Sequence, residues 1–177
     1  FFHPLYTDGI HPDARFPRDR YQLISNRFSV GPHAEKVVVS PAPKATQRQL
    51  ELVHSPDYVD RFLSGRMSME ERRRIGLRPW TDGLIPRTLH IMGGELAGLD
   101  FITRTGGVAA NMAGGTHHAH RDWGSGFCVF NDLALCARMA VEAYEYRRVL
   151  IVDLDVHQGD GTASILAGSK ETFTLSV

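Results

Sequence analysis

The stretch Val149-Leu-Ile-Val-Asp-Leu-Asp-Val-His-Gln-Gly-Asp-Gly-Thr162 decides the fold that we expect for this chain. It opens with an apolar run, residues 149–152, which is typical of a strand buried on both faces in a parallel sheet flanked by helices. Asp153, Asp155 and His157 follow at a spacing of two. Because side chains alternate between the faces of a strand, this spacing predicts that all three point the same way.

Two carboxylates and an imidazole on one face of a buried strand predict a bound cation. Burying an unpaired carboxylate is strongly unfavourable, and Asp and His supply the oxygen and nitrogen ligands that zinc and similar divalent ions use. The location also favours a site, because ligands collect outside the carboxyl ends of strands in open α/β sheets. A buried ion-pair cluster or a phosphate-binding turn remains an alternative for this stretch.

The neighbouring segments predict the class of fold. Strands are predicted over residues 149–154 and 173–177, with a short helix over residues 161–167 between them, and a longer helix before them begins at Asn131 or Asp132. Alternation of strands and helices favours a parallel sheet. We therefore expect an α/β fold with a central, mostly parallel sheet and helices on both faces.

Composition narrows the class of protein further. The 177 residues are 42% hydrophobic and 23% charged, which predicts a single globular domain over residues 1–177. Twenty basic residues balance 20 acidic ones, so there is no excess of charge for a nucleic acid or a membrane surface. Only Cys128 and Cys136 are present, which indicates a reducing compartment and a cytoplasmic protein. No signal peptide and no membrane-spanning run is visible.

The two ends of the chain lead us to expect a fragment. The chain begins Phe-Phe-His-Pro without an initiator Met, and it stops at residues 174–177, which read as a strand. A strand of a parallel sheet needs crossover connections and covered faces. We therefore expect a longer domain whose C-terminal part is missing.

A second stretch with candidate functional residues runs from Gly114 to Asn131, Gly-Gly-Thr-His-His-Ala-His-Arg-Asp-Trp-Gly-Ser-Gly-Phe-Cys-Val-Phe-Asn. It is long for a plain connection and has neither helical nor strand period, which favours a functional loop. We expect its pair His117-His118 to face the predicted metal ligands across a pocket. An imidazole with a carboxylate behind it can act as a general base, and such a base beside a metal-bound water is typical of a hydrolase. The alternative is that these histidines are only packed.

Three motifs in this order resemble the histone deacetylase family of the arginase–deacetylase superfamily. They are Gly-Gly-Thr-His-His-Ala at residues 114–119, Gly-Phe-Cys at residues 126–128 and Asp-Leu-Asp-Val-His-Gln-Gly-Asp-Gly at residues 153–161. Gln158 resembles the bacterial members and the class IV branch. The resemblance implies the three-layer arginase–deacetylase fold and a zinc amidohydrolase that removes acetyl or other acyl groups from lysine side chains or related amines.

The resemblance also implies roles for individual residues. His117 and His118 correspond to the tandem catalytic histidines, with His118 as the expected general base. Asp153 would hold His117, and Asp160 would hold His118.

The resemblance to the family also implies which residues bind metal ions and which contact the substrate. Asp155 and His157 correspond to zinc ligands, and Gly126 and Phe127 to residues lining the tunnel for the acylated side chain. The family often holds a potassium ion next to the zinc; its ligands correspond to Asp153, Asp155, His157, Ser176 and the carbonyl of Val177. The third zinc ligand, an Asp, and the Tyr that polarises the carbonyl lie beyond the equivalent of Val177, so we expect the site of this chain to be incomplete and inactive.

Two other functions remain open. A catalytically inactive family member that binds acylated lysine has the same residues in this part of the chain. A dimanganese ureohydrolase of the same superfamily is disfavoured, because its Asp-x-His-x-Asp pattern would place a carboxylate where Gly159 stands. The sequence leaves open whether the substrate is an acetylated lysine or a small acetylated amine, and it leaves the oligomeric state undetermined.

Overall fold

A computed structural model describes residues 1–32 and 34–177 of the chain. Its helices and strands follow in the order α1 Leu5–Asp8, α2 Arg20–Val30, a 3-10 turn Ala34–Lys36, α3 Gln47–Leu50, α4 Pro56–Leu63, α5 Met69–Ile75, α6 Leu84–Thr105, α7 Asp132–Glu142, β1 Val149–Asp153, α8 Asp160–Leu166 and β2 Thr172–Ser176. The chain divides into two compact units, one of Phe1–Ala45 with Leu77–Gly114 and one of Thr46–Gly76 with Gly115–Val177.

The first unit is built around the long helix α6. Its core gathers two buried tyrosines, Tyr6 and Tyr21, with apolar side chains that include Ile91 of α6. The guanidinium of Arg87 is buried among them, and its Nε donates to the carbonyl of Tyr6 at 3.1 Å. Burial of this cation is tolerated because it has hydrogen-bond acceptors.

The second unit contains both groups of candidate functional residues, those of the histidine loop and those that follow β1. Its aromatic core packs Tyr58 and Phe62 of α4 against Phe130, with ring centroids 5.5 and 5.1 Å apart. The Tyr58 hydroxyl donates to the carbonyl of Val129 at 2.8 Å. This contact ties α4 to the end of the loop that carries the histidines.

Strands β1 and β2 are parallel and pair from Val149 with Thr172 to Asp153 with Ser176. Helix α8 connects them, so the predicted strand–helix–strand unit is confirmed. The sheet among the described residues has these two strands, with α7 in contact with β1 and α8 in contact with β2.

Within the described residues, β1 is covered on one face and not on both faces as predicted. Within β1, Ile151 is the buried residue, on the face that carries the helices. The opposite face is solvent-exposed on both strands, with Leu150 and Val152 exposed to 62% and 50% and their partners Phe173 and Leu175 to 65% and 46%. An apolar run is compatible with burial on both faces, but whether each face is covered depends on which elements pack against it.

Two further properties follow from the helices and the thiols. Among residues 1–32 and 34–177, no helix combines the length and apolar character needed to cross a membrane. Neither Cys128 nor Cys136 forms a disulfide bond in the structure of the described residues. Burial raises the pKa of Cys128 to about 12, so this thiol is not a ready nucleophile.

Candidate functional site

The tandem-histidine loop, residues 115–131, places two imidazoles on two separate carboxylates. His117 donates from Nδ1 to Asp153 Oδ2 at 2.6 Å, and His118 donates from Nδ1 to Asp160 Oδ1 at 2.7 Å. Both predicted hydrogen bonds are therefore present. A carboxylate at Nδ1 fixes the tautomer and leaves Nε2 of each ring available to accept a proton.

A buried carboxylate, Asp132, anchors the start of this loop. Its two oxygens accept from the backbone N–H groups of Gly115 and Thr116 at 2.8 Å, from the Thr116 hydroxyl at 2.8 Å and from the N–H of Leu133 at 2.9 Å. Complete burial raises the pKa of Asp132, and the hydrogen bonds from Thr116, Gly115 and Leu133 oppose that shift. The backbone just before His117 is thereby fixed to the first turn of α7.

Asn131 anchors the middle of the loop. Its side chain accepts from the N–H of Ala134 at 2.9 Å, so Asn131, one of the two predicted starts of this helix, is the N-cap of α7. Its amide Nδ2 donates to the carbonyl of Ala119 at 3.0 Å and to the Thr162 hydroxyl in α8 at 3.0 Å. The N–H of Thr162 in turn donates to the carbonyl of His117 at 3.0 Å. One buried amide thus links α7, α8 and the loop.

His54, at the junction before α4, is completely buried and bridges two parts of the loop. Its Nδ1 donates to the carbonyl of His120 at 3.0 Å, and its Nε2 accepts from the N–H of Asn131 at 2.9 Å. Burial lowers the pKa of His54 to about 4, so its imidazole is neutral near pH 7. It is a structural histidine and not a base in the site.

The aspartate turn, residues 153–157, corrects the prediction of one continuous strand face. Strand β1 ends at Asp153, and the next residues bend away. Asp153 Oδ1 accepts the N–H of Asp155 at 3.0 Å, and Asp155 Oδ1 accepts the N–H of His157 at 2.8 Å. Such local side-chain hydrogen bonds compete with the strand ladder, which is why period-two alternation stops here.

Asp155 and His157 nevertheless converge on each other. His157 Nδ1 lies 2.9 Å from Asp155 Oδ1, and their side chains are 71% and 52% exposed, respectively. Hydrogen bonds from the backbone and ring of His157 lower the pKa of Asp155. The pair therefore offers an ionised oxygen donor and an imidazole on an accessible surface.

The tandem-histidine loop and the aspartate turn approach each other within the second unit. The rings of His117 and His118 have centroids 4.1 Å apart, and the rings of His118 and His157 lie 5.8 Å apart, edge to face. His117 Nε2 lies 4.0 Å from Asp155 Oδ1. The tandem histidines and the predicted metal ligands therefore lie next to each other, as predicted.

The donors present fit zinc in kind but not in number. Asp155 and His157 are the oxygen and nitrogen donors that zinc uses, and a zinc site needs three protein ligands or more. Within the described parts of the chain, no three His, Cys, Asp or Glu side chains are grouped so that they hold a metal ion. These two residues are therefore a partial donor set.

The residues implied as potassium ligands are only partly brought together. Asp153, Ser176 and Val177 line one cavity of about 480 Å³ beside α8. Ser176 Oγ accepts from the N–H of Gly159 at 3.2 Å, and the N–H of Val177 donates to the carbonyl of Asp153 at 3.1 Å. The side chains of Asp155 and His157 lie outside this cavity lining.

Of the implied substrate residues Gly126 and Phe127, the first lies directly beside His118. Both have backbone φ angles in the left-handed region, +54° and +66°. A Cβ atom on Gly126 would approach His118 Cδ2 to 2.5 Å, so glycine is required for the ring to pack there. Phe127 is 42% exposed, and its N–H donates to the carbonyl of Ile75 at 2.7 Å.

A third histidine of the loop reaches the same carboxylate as His118. His120 Nε2 lies 3.4 Å from Asp160 Oδ2, and the N–H of Gly161 donates to Oδ1 at 2.9 Å. Partial burial would raise the pKa of Asp160, but the hydrogen bonds from His118, His120 and Gly161 outweigh it and lower that pKa. Asp160 therefore stays ionised between two imidazoles.

Sequence reasoning missed the contributions of His54, Asp132 and His120. The signals available were an Asn-Asp pair following apolar residues 129–130 and a third histidine two positions after the tandem pair. No comparable signal existed for His54, since its partner Asn131 is 77 positions away in the chain.

These motifs and this geometry define a histidine–carboxylate centre beside a metal-type donor pair. The family model of the histone deacetylase domain matches residues 14–177. The chain therefore belongs to the histone deacetylase family, as the sequence motifs predicted.

Curated relatives share this similarity over most of the chain. An uncharacterized protein of Picosynechococcus sp. (strain PCC 7002) is 42% identical over 181 residues, covering 99% of this chain and 58% of the relative. The acetoin utilization proteins AcuC of Bacillus subtilis and Staphylococcus aureus (strain COL) are 33% and 35% identical, each over 75% of this chain and 36% of their own length. The chain thus spans between about one third and three fifths of these relatives.

Proposed function

We propose that this chain carries part of the active site of a zinc-dependent amidohydrolase that removes acetyl or other acyl groups from lysine side chains or related amines. The observation that carries the proposal is the pair of histidine–carboxylate contacts, His117 with Asp153 and His118 with Asp160. Two imidazoles of fixed tautomer side by side suit a reaction that must both remove and deliver a proton. Membership in the histone deacetylase family supports the same chemistry.

In this proposal His118 is the general base and acid. Its Nε2 accepts a proton from the attacking water and returns it to the leaving amine, while Asp160 holds the opposite ring nitrogen and stabilises the imidazolium. His117, held by Asp153, orients the water and the developing oxyanion from the adjacent position. Gly126 and Phe127 line the approach of the acylated side chain; the exposed Phe127 ring supplies the apolar wall.

Asp155 and His157 would hold the zinc ion. The third protein ligand would be a residue other than the donors described above. When bound there, zinc would supply a water of lowered pKa and polarise the acyl carbonyl. Asp153, Ser176 and the carbonyl of Val177, with Asp155 and His157, are proposed for a potassium ion on the basis of the family resemblance. The cavity shared by Asp153, Ser176 and Val177 supports part of that set.

The wider assignments belong to the same proposal. We assign the chain to a three-layer arginase–deacetylase fold that forms a single domain, supported by a family match over residues 14–177 and by parallel strands joined through α8. We also propose a cytoplasmic location, since the described cysteines, Cys128 and Cys136, are not joined in a disulfide. The proposed substrate class is an acetylated lysine or a small acetylated amine, and membership in the histone deacetylase family supports it.

The dimanganese ureohydrolase is disfavoured by a steric observation. A Cβ atom at position 159 would lie 2.4 Å from Asp153 Oδ2, so a side chain there would displace the carboxylate that contacts His117. The second alternative, a catalytically inactive protein that binds acylated lysine, is distinguished from the hydrolase by the following assay.

The test is an amide hydrolysis assay on the complete gene product that contains residues 1–177. We expect release of acetate from an acetyl-lysine peptide or an acetylated polyamine, lost on zinc chelation and restored by added zinc. His118→Ala should lower kcat by about 10²–10⁴-fold while retaining bound zinc, because a general base typically contributes this much. A complete gene product that binds zinc and acetyl-lysine but hydrolyses neither substrate would refute the proposal in favour of the inactive binder.

A further inference from the structure

His120 lies beside the carboxylate that serves the proposed general base. We propose that His120 is a positioning residue that holds Asp160 in the orientation in which it supports His118, an inference that rests on the function proposed above. Asp160 accepts from His118 Nδ1 on one oxygen at 2.7 Å and faces His120 Nε2 with the other at 3.4 Å.

Asp160 needs a second contact because it is not enclosed by the protein. Its side chain is 49% exposed, and it is the first residue of α8. Oδ1 is held by His118 and by the N–H of Gly161, whereas Oδ2 has His120 as its contact. Hydrogen bonds from an imidazole to a carboxylate are stronger than neutral ones, so an N–H on each oxygen opposes rotation of the carboxylate.

The ring of His120 is itself fixed in place. It stacks on Trp123 with ring centroids 3.9 Å apart and planes 13° apart, and the guanidinium of Arg74 lies 5.3 Å from the Trp123 ring centroid. The backbone N–H of His120 donates to the carbonyl of Trp123 at 2.9 Å, and its carbonyl accepts from His54. The direction from which Nε2 reaches Asp160 is therefore set by packing.

This arrangement predicts an effect on turnover and not on substrate binding. A carboxylate free to turn would release the ring of His118 into orientations in which Nε2 no longer faces the reacting atoms. Because His120 acts through Asp160, its loss should lower kcat with KM unchanged. Removing the outer hydrogen-bond partners of metal ligands typically costs about 10- to 100-fold in activity. By analogy, and because the His120 contact is long at 3.4 Å, we expect a loss of about tenfold.

The side chain of His120 can be changed without touching its backbone contacts. His120→Phe keeps an aromatic ring on Trp123 and removes the N–H donor, whereas His120→Gln restores an N–H near the position of Nε2. His11→Phe is the matched control, because His11 is a partly exposed histidine whose ring contacts only its neighbour Asp13 among the hydrogen bonds and ion pairs described.

The experiment reads the His118–Asp160 contact directly. The complete gene product, labelled with ¹⁵N in its histidines, is followed through the ring N–H signal of His118, which is identified by its loss in His118→Gln. We expect His120→Phe to speed exchange of this proton with water by about tenfold and to lower kcat by a similar factor. His120→Gln should recover both, and His11→Phe should change neither.

The outcomes separate this inference from the proposed function. Unchanged proton exchange in His120→Phe overturns the inference whatever the activity, and so does a loss of kcat that His120→Gln fails to recover. If the complete gene product hydrolyses no acylated amine, the proposed function fails, and faster exchange in His120→Phe still supports the positioning role.

Discussion

The tandem-histidine loop and the aspartate turn carry the two halves of the candidate site, and they are held in opposite ways. The loop rests on side chains with 0% exposure, His54, Asn131 and Asp132, whose partners lie in different helices and loops. The turn is held by hydrogen bonds that span two residues, and Asp155 and His157 are about half and more than two-thirds exposed. The position of the two proposed catalytic histidines is therefore tied to folding, whereas the proposed metal ligands lie on an accessible surface of this chain.

The largest effect predicted from this contrast is at the turn. Asp155→Ala should reduce bound zinc in the complete gene product to below detection, because a zinc site needs at least three protein ligands. The free energy of unfolding of the metal-free protein should change by about 1 kcal/mol or less, since Asp155 is half exposed and, among the described residues, the hydrogen bonds of its carboxylate reach only His157. Zinc content and urea unfolding measure the two quantities.

Asp122→Ala, a neighbouring exposed carboxylate of the loop, is the control and should keep its zinc. If Asp155→Ala retained zinc at full stoichiometry, the turn would not hold the metal.

The corresponding change beneath the loop is at Asp132, the first residue of α7, and it should lower the stability of the protein rather than its zinc content. Asp132→Ala removes the acceptor of three backbone N–H groups and the Thr116 hydroxyl, so donors would be left unpaired inside the protein. We expect a loss of about 3 kcal/mol in the free energy of unfolding, because each buried unpaired group costs about 1–3 kcal/mol and water recovers part of it. Urea unfolding of metal-free protein measures it, with Asp122→Ala as the same control. Equal stability of the two variants would show that the buried framework does not hold the loop.

A pH titration should sharpen the comparison further. His54 is neutral and buried in the folded protein with a pKa of about 4, against an ordinary value of 6.5. Below pH 6.5 His54 becomes protonated in the unfolded chain but stays neutral in the folded chain. The free energy of unfolding is therefore highest above that pH and declines as pH falls toward 4. At pH 5 the expected loss is about 2 kcal/mol relative to neutral pH.

His54→Gln keeps a donor and an acceptor without a titrating group, so the stability difference between the variant and the unmodified protein should itself depend on pH. Unfolding measured between neutral and acidic pH on both proteins isolates this one histidine. A difference that stays constant with pH would contradict the buried neutral assignment.

The smallest predicted effect separates backbone strain from contact with His118. Gly126 and Gly65 both have positive φ, +54° and +72°, but a Cβ atom would touch His118 only at Gly126 and would meet nothing within 4 Å at Gly65. Both Gly→Ala variants should lose about 1 kcal/mol of stability through strain. Gly126→Ala alone should also lower kcat, and equal kcat in the two variants would exclude a role for this close approach.

Short-range patterns in the sequence predicted several features correctly. The strand–helix–strand unit and the start of α7 at Asn131 or Asp132 follow from local sequence patterns, whereas the pairing of His117 with Asp153 and of His118 with Asp160 was implied by the family resemblance. The extent of β1 was wrong because Asp153 and Asp155 satisfy the following N–H groups with their own side chains. Alternation of residue types does not reveal that competition.

The sequence by itself determined the family, the parallel strand pair and the identities of the candidate functional side chains, because these depend on residue order and spacing. Only the tertiary structure decided that one face of the sheet is exposed, that His54 bridges the loop and that Asp160 lies between two imidazoles. The physical reason is that burial and long-range hydrogen bonds depend on which segments meet in space. His54 and Asn131 are 77 residues apart, and no local pattern encodes their contact.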